Sequence, residues 1–566
     1  MNATSIPISV DHVVGPIPWP LGQTPPDCET LPELLDYMAD LRPNSLALVA
    51  GNSRLSYGEL ADKAHLFAAG LARLGVNRQS RVALLCPNIE EWVVSAFGAL
   101  RMGIPVDTFN TWVLSYDLDY LLSASNTEVL IMIPTIRSTD MLGELRQLIP
   151  ELWTSEPGEF TSLRFPSLKH VVVIGDDTAD TQFPSGAEKF GVLMREAIGD
   201  PTPPNLAHGS DTAYVMYTSG TTQYPKAVPL QHRGLIENGF SIGSRMGLTD
   251  KDRVWLGSPL FWSFGGANAA MAAMTHGACL VLQERFTAEG AAQLLEVEEC
   301  TAAYLLPSMI GTLAGDVAPK IRGIKSLRTG IAIGRPEEIK RAAVDLDIAE
   351  ICNVYGSTET YGNCCVTPHT MPLEERLVSQ GPPLNGVELR VADLESGAAL
   401  PIGMAGELQA RGRIMAGYIG NPDATDAAMT KDGWFRTGDT VVLRHDGTMQ
   451  FLSRHTDMIK SSGINISPSE VEGFLETYPG VEKVVVVGAP HPSRGEVPVA
   501  FVVLRAGATA TGQEIKDFCK GAVASFKTPF LVQIVNELPH TSTGKIMRKE
   551  LREPAADAVN AALAAQ

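Results

Sequence analysis

The sequence predicts an α/β chain: a large N-terminal domain of layered β-sheets with flanking helices, then a small α+β C-terminal domain. Three observations carry that expectation. Short apolar runs alternate with amphipathic stretches through the first three quarters of the chain. Those runs are apolar throughout, the pattern of largely parallel strands covered on both faces. After the strand-like run 449–454 the pattern changes, and the remainder reads as a smaller unit.

The elements follow in order. RVALLCP (81–87) reads as a strand and 89–100 as a helix, with further strands at 128–133 and 170–175. RVWLGSP (253–259), ACLVLQ (278–283), AAYLLP (302–307) and AEICNVYG (349–356) continue the alternation. The most apolar window, 264–282, is broken by Asn268, Thr275 and His276, so it reads as a buried helix leading into a strand. A membrane span would need about 20 mostly apolar residues. In the last quarter, Ser467, Pro468 and Glu470 supply a cap, a first-turn proline and an acidic residue three positions on. The helix they start is expected to end near Gly480, before the β-branched strand VEKVVVVGAP.

The composition bounds the function. The 566 residues carry 45 Lys plus Arg against 64 Asp plus Glu, a net charge of −19. That opposes nucleic-acid binding, which depends on cations displacing counterions from phosphates, but not the local capture of one small anion. Eight cysteines show neither CxxC pairs nor zinc spacing, as expected of reduced thiols in a cytoplasmic enzyme. The N-terminal stretch lacks a basic region followed by an apolar one, so neither a signal peptide nor an integral membrane segment is expected.

The most informative segment is Tyr217-Thr218-Ser219-Gly220-Thr221-Thr222-Gln223-Tyr224-Pro225-Lys226, after the strand-like AYVMY. Small hydroxyl residues around a glycine offer amides and hydroxyls that converge on phosphate oxygens, and Lys226 adds a point charge. The spacing is not that of a Walker A loop. A Ser/Thr-rich turn is the plainer alternative. Asn353-Val354-Tyr355-Gly356-Ser357-Thr358-Glu359 places a ring, a hydroxyl and a carboxylate suited to hard Mg²⁺ after a strand. Asp439, in GWFRTGD, is a carboxylate able to accept two hydrogen bonds. Arg454 to Gly463 and Leu538 to Arg548 (LPHTSTGKIMR) complete the set.

These five segments, in this order, resemble the signature motifs of the adenylate-forming superfamily of acyl-CoA synthetases, peptide-synthetase adenylation domains and firefly luciferase. The resemblance covers essentially the whole chain. It implies an ATP-dependent ligase that uses Mg²⁺ and coenzyme A to convert a small-molecule carboxylic acid to an acyl-adenylate and then a thioester. Residues 1–455 would bind ATP and acid, and residues 456–566 would form the mobile small domain, turning about a hinge near Thr456. A homodimer is compatible with it. Lys545, Lys226, Thr358 and Glu359 would be catalytic, and Glu359 and Thr218 would hold the metal. Thr218, Ser219, Gly220, Thr221, Thr222, Gly330, Ile331, Ala332, Asn353, Tyr355, Gly356, Asp439, Arg454 and Gly463 would line the nucleotide and CoA sites. Within them Tyr355 would stack on adenine, Thr358 meet the α-phosphate and Asp439 bind the ribose.

The acid wall falls on SPLFWSFGGA (258–267), with Trp262, Phe264, Gly265 and Gly266 contacting substrate. Gly265, Gly266 and Ala267, like 330–332 near the adenine side, are read as leaving space. Trp262 stands where many relatives carry His, and Gln223, Ala227 and Thr456 also depart from the family pattern. No Asp stands where an α-amino group would be held, so fatty, aryl and alicyclic acids are all open. The rival readings are transfer to a separate carrier protein, a luciferase-like oxygenase, and a non-catalytic ligand-binding relative.

Overall fold

The computed structural model describes residues 8–9, 12–15, 23–175, 183–218, 225–334, 336–393, 396–454, 459–466, 468–539 and 546–564. The chain divides into two compact units. The first comprises 1–111, 122–217 and 227–453; the second comprises 112–121, 218–226 and 454–566. The boundary expected at 455/456 lies outside the described residues.

The first unit holds three large sheets. In one, Val82–Leu85 is central, with Val129–Met132 and Val106–Thr108 parallel on either side. Its neighbours continue to His170–Val173 on one flank and Thr212–Thr218 on the other. The second sheet runs parallel from Leu46–Ala50 through Cys279–Leu282, Arg253–Leu256, Ala302–Leu305 and Thr329–Ala332 to Glu350–Tyr355. Short antiparallel strands, Ser53–Ser56 and Cys365–Val366, close its two ends. Every residue of Val82–Leu85, Val129–Met132 and Ala302–Leu305 is buried. Such strands need apolar side chains on both faces, which is why they read as continuous runs.

The third sheet is antiparallel, built chiefly from Val387–Ala392, Ala405–Gly412, Phe435–Leu443 and Met449–Arg454. Only its last strand is legible in the sequence. The apolar window 264–282 is a π-helix, Ser263–Ala269, then a helix, Ala270–Thr275, then the strand Cys279–Leu282. No helix among the described residues is long and apolar enough to cross a membrane.

In the second unit the long strands Val481–His491 and Gly495–Leu504 pair antiparallel. Val484, Val486, Ala500 and Val502 face Phe474 and Ile515, while Val485, Val487, Val499 and Phe501 face Leu551, Ala555 and Val559. Both faces are covered, so the valine run has no polar alternation. The helix Pro468–Leu475 stops before the expected Gly480. Backbone bonds from Thr477 to Phe474 and from Tyr478 to Leu475 tighten its last turn, and Gly480 reverses the chain at φ +96°. The stretch 112–121 joins this unit, where Lys527 lies 2.9 Å from Asp117 and 3.5 Å from Glu470. Burial pushes the Glu470 carboxyl up to about 7.

Candidate active site

The end of the strand Glu350–Tyr355 turns sharply into the short 3₁₀ segment Thr358–Thr360. A Cβ at Gly356 would lie 2.3 Å from the Gly362 carbonyl, so only glycine allows this hairpin to close. The Ser357 amide donates to the Thr360 hydroxyl at 3.0 Å, fixing the turn that presents Thr358 and Glu359. Thr358 Oγ1 lies 3.1 Å from Ser263 Oγ, the first residue of the π-helix. The structure therefore brings the acid-wall segment directly against the threonine expected at the α-phosphate.

Three carboxylates of the first unit have defined partners. Glu359 Oε1 accepts from the Tyr418 hydroxyl at 2.8 Å. Asp439 Oδ2 accepts from the Tyr355 hydroxyl at 2.6 Å, and the Tyr355 ring stacks on Phe451 with centroids 6.0 Å apart. The residues expected at ribose and adenine thus hold one another in this structure. Asp107 Oδ1 accepts from Tyr217 at 2.6 Å, and burial pushes its carboxyl up to about 6. Sequence reasoning missed Asp107 and Tyr418. Asp107 carries one signal, an acid inside the short strand Val106–Thr108, and Tyr418 carries none beyond an aromatic next to a glycine.

The glycines read as leaving space are set by close backbone approaches. A Cβ at Gly265 would lie 2.2 Å from the Pro259 carbonyl, and one at Gly266 would lie 2.3 Å from that of Leu260. These glycines let the π-helix close onto its own preceding loop, and the space a side chain would take is filled by protein carbonyls. Likewise a Cβ at Gly330 would lie 2.1 Å from the Ala303 carbonyl, and Ile331 and Ala332 are fully buried inside the sheet. Asn353 donates to the carbonyls of Arg376 at 2.8 Å and Ser379 at 3.1 Å, while its Oδ1 accepts from Val354. Its amide hydrogens are spent on the protein. Of the aromatics, Phe264 packs edge-on against Tyr304 at 5.0 Å, and Trp262 lies half-buried against the main core.

In the second unit, Gly463 (φ +82°) follows Ser462 (φ +52°) in the tight turn between Ile459–Ser461 and Ile464–Ile466. Thr218 ends one strand and Lys226 begins another. Arg454 ends the strand Met449–Arg454. Ser219, Gly220, Thr221, Thr222, Gln223, Thr456 and Lys545 lie outside the described residues.

Among the described residues no group of three or more His, Cys, Asp or Glu is built for a metal. Glu359, with one oxygen on Tyr418, is compatible with a cation that keeps most of its ligands as phosphate and water, the habit of Mg²⁺. All eight cysteines are free and buried, and burial pushes Cys279, Cys352 and Cys519 up to about 12. Those three hold no thiolate for nucleophilic chemistry.

Residues 35–419 match the AMP-binding enzyme family, and residues 470–545 match the AMP-binding enzyme C-terminal domain. The chain is 32% identical over 540 residues to the putative acyl-CoA synthetase YngI of Bacillus subtilis, covering 94% of this chain and 98% of that one. It is 30% identical over 538 residues to the mitochondrial medium-chain acyl-CoA ligase ACSF2 of Mus musculus, covering 93% and 87%. Its fold superposes with a TM-score of 0.74 on o-succinylbenzoate CoA synthetase of Bacillus subtilis, at 23% identity over 92% of this chain and 98% of that one. It superposes with a TM-score of 0.75 on the amide bond synthetase McbA of Marinactinospora thermotolerans, at 23% identity over 92% and 99%. With family matches over both parts of the chain and relatives aligned along nearly all of it, this protein belongs to the AMP-binding enzyme family and, within it, to the adenylate-forming acyl-CoA ligases.

Proposed function

We propose that this ligase activates a fatty, aryl or alicyclic carboxylic acid and delivers it to coenzyme A, with the acid held along 258–267 and ATP along 353–359. The observation that carries the reading is the 3.1 Å contact between Ser263 and Thr358, which joins the two stretches. A carboxylate oxygen of the acid attacks the α-phosphorus of ATP, the bond to the bridging oxygen breaks, and pyrophosphate leaves. The CoA thiol, its proton passing to solvent, then attacks the acyl carbon; the C–S bond forms and AMP departs.

Thr358 donates toward the α-phosphate, and Tyr418 fixes the orientation of Glu359. Mg²⁺ held by Glu359 would neutralise phosphate charge. Lys226 and Lys545 would stabilise charge gathering at the α-phosphate, and a turn of residues 456–566 about Thr456 would then exchange Lys545 for the 461–463 loop beside CoA. The medium-chain name of one relative supports a fatty substrate. The reading is tested by ATP–pyrophosphate exchange over a panel of acids, followed by a comparison of CoA with carrier protein as acceptor. Exchange without a CoA thioester would remove coenzyme A from the reading.

A further inference from the structure

Ser263 and Thr358 meet where the acid wall joins the turn after Glu350–Tyr355, with Oγ and Oγ1 3.1 Å apart. Both residues are partly exposed, so neither is sealed from solvent. Among the described residues neither hydroxyl has another hydrogen-bond partner. The neighbouring Thr360 differs. Its hydroxyl accepts from the Ser357 amide and donates to the Ser357 carbonyl, both at 3.0 Å, and is spent on the turn. Ser263 and Thr358 together carry two hydroxyl protons and share a single bond, so one proton is left over for whatever binds.

Both oxygens stand on fixed backbone. On one side, the amides of Gly265 and Gly266 donate to the Trp262 carbonyl at 3.0 and 2.8 Å, closing the π-helix around Ser263. On the other, the Tyr361 amide donates to the Thr358 carbonyl at 3.0 Å. Tyr361 takes the left-handed conformation, φ +58°, which a tyrosine rarely adopts. It is held there from two sides: Asn238 donates to its carbonyl at 3.0 Å, and its hydroxyl accepts from the Gln231 amide at 3.2 Å. With both backbones pinned, the freedom left at the junction lies in the side-chain torsions and the hydroxyl protons.

A phosphate oxygen can only accept. When Thr358 donates to the α-phosphate, the bond it shares with Ser263 has to be donated by Ser263, and a hydroxyl that accepts one hydrogen bond donates a stronger one. We propose that Ser263 is a positioning residue for adenylation: it donates to Thr358 Oγ1 and so turns the Thr358 proton toward the α-phosphate of ATP. The inference rests on the reading of 353–359 as the nucleotide stretch. No proton leaves either hydroxyl. Ser263 sets a direction, and the gain is largest in the transition state, where negative charge gathers on the phosphate oxygens.

The test is ATP–pyrophosphate exchange by the full chain carrying Ser263→Ala or Ser263→Thr. Ser263→Ala removes the donor and should lower kcat about tenfold, the loss of one hydrogen bond. The KM values for ATP and acid should stay within about twofold, with Tm unchanged. Ser263→Thr keeps the hydroxyl and should recover most of the rate. In a Thr358→Val background, Ser263→Ala should cost nothing further, because the group it acts through is gone. Four results would each overturn the proposal: a full kcat in Ser263→Ala; a raised KM for the acid in place of a lowered kcat, which would put Ser263 on the acid; a loss that Ser263→Thr does not recover, which marks packing; and losses that multiply in the double variant. A wild-type protein that exchanges with no acid would instead strike the ligase reading itself, and this inference with it.

Discussion

Asn353 and Asn268 are two asparagines of the first unit, 1% and 0% exposed, that meet opposite fates. Around Asn353 the protein answers itself: that amide, the Tyr355 hydroxyl and the Glu359 carboxylate all have protein partners at 2.6–3.1 Å. Around Asn268 the amide has none among the described residues, and Gly265 and Gly266 let the backbone close tightly. The first region holds its shape before any ligand arrives.

The largest expected effect removes a charge that belongs to neither stretch. Lys545→Ala should lower adenylation by about 10³-fold while leaving thioester formation from supplied acyl-adenylate largely intact. Equal loss in both half-reactions, measured separately, would show that Lys545 is structural. Next, Glu359→Gln keeps an oxygen for Tyr418 but loses the charge for a cation. Adenylation should fall about 10²-fold with a raised Mg²⁺ requirement, and an unchanged Mg²⁺ titration would break the assignment.

The comparison can also be sharpened by pH. Burial raises the Asp107 carboxyl from 3.8 to about 6, so its contribution to stability is complete below its ordinary pKa and is lost as pH rises through about 6. Asp107→Asn keeps an acceptor for Tyr217 and does not titrate. It should therefore gain about 2 kcal/mol over the parent between pH 4 and pH 8, read from denaturant midpoints; parallel stability curves would refute it. The smallest effect is Trp262→His, expected to move the ratio of kcat/KM between acids by about tenfold with little change in the KM for ATP. A uniform slowing of every acid would make Trp262 a core residue.

The parallel sheets are legible because burial on both faces demands unbroken apolar runs, as at Val129–Met132 and Ala302–Leu305. The antiparallel sheet is less so: in Val387–Ala392, buried and half-exposed positions alternate and Arg390 interrupts the run. Motif chemistry marks Thr358, Glu359 and Asp439, but their partners Ser263, Tyr418 and Tyr355 come from distant segments or bond in ways spacing does not encode. Glycines mislead most. A sequence shows that Gly265, Gly266 and Gly330 lack side chains and is silent on what fills the gap, which here is the protein's own carbonyls. Asn268 is visible only as an interruption of an apolar window; its unmet bonds require coordinates.

The two-faced valine sheet of the second unit has a consequence for how the protein is made. Val485, Val487, Val499 and Phe501 are covered by Leu551, Ala555 and Val559 of the helix Arg548–Ala564, which follows every strand it shields. Arg548 locks that helix by a fork onto Glu472, at 2.6 and 2.7 Å. During synthesis the strands leave the ribosome before their cover does, with an oily face bare for as long as the intervening residues take to emerge. At about 5–20 residues per second that interval lasts seconds, long enough for chaperones or neighbouring chains to engage the face. A ribosome that stalls short of residue 548 would release a chain whose exposed strands invite aggregation.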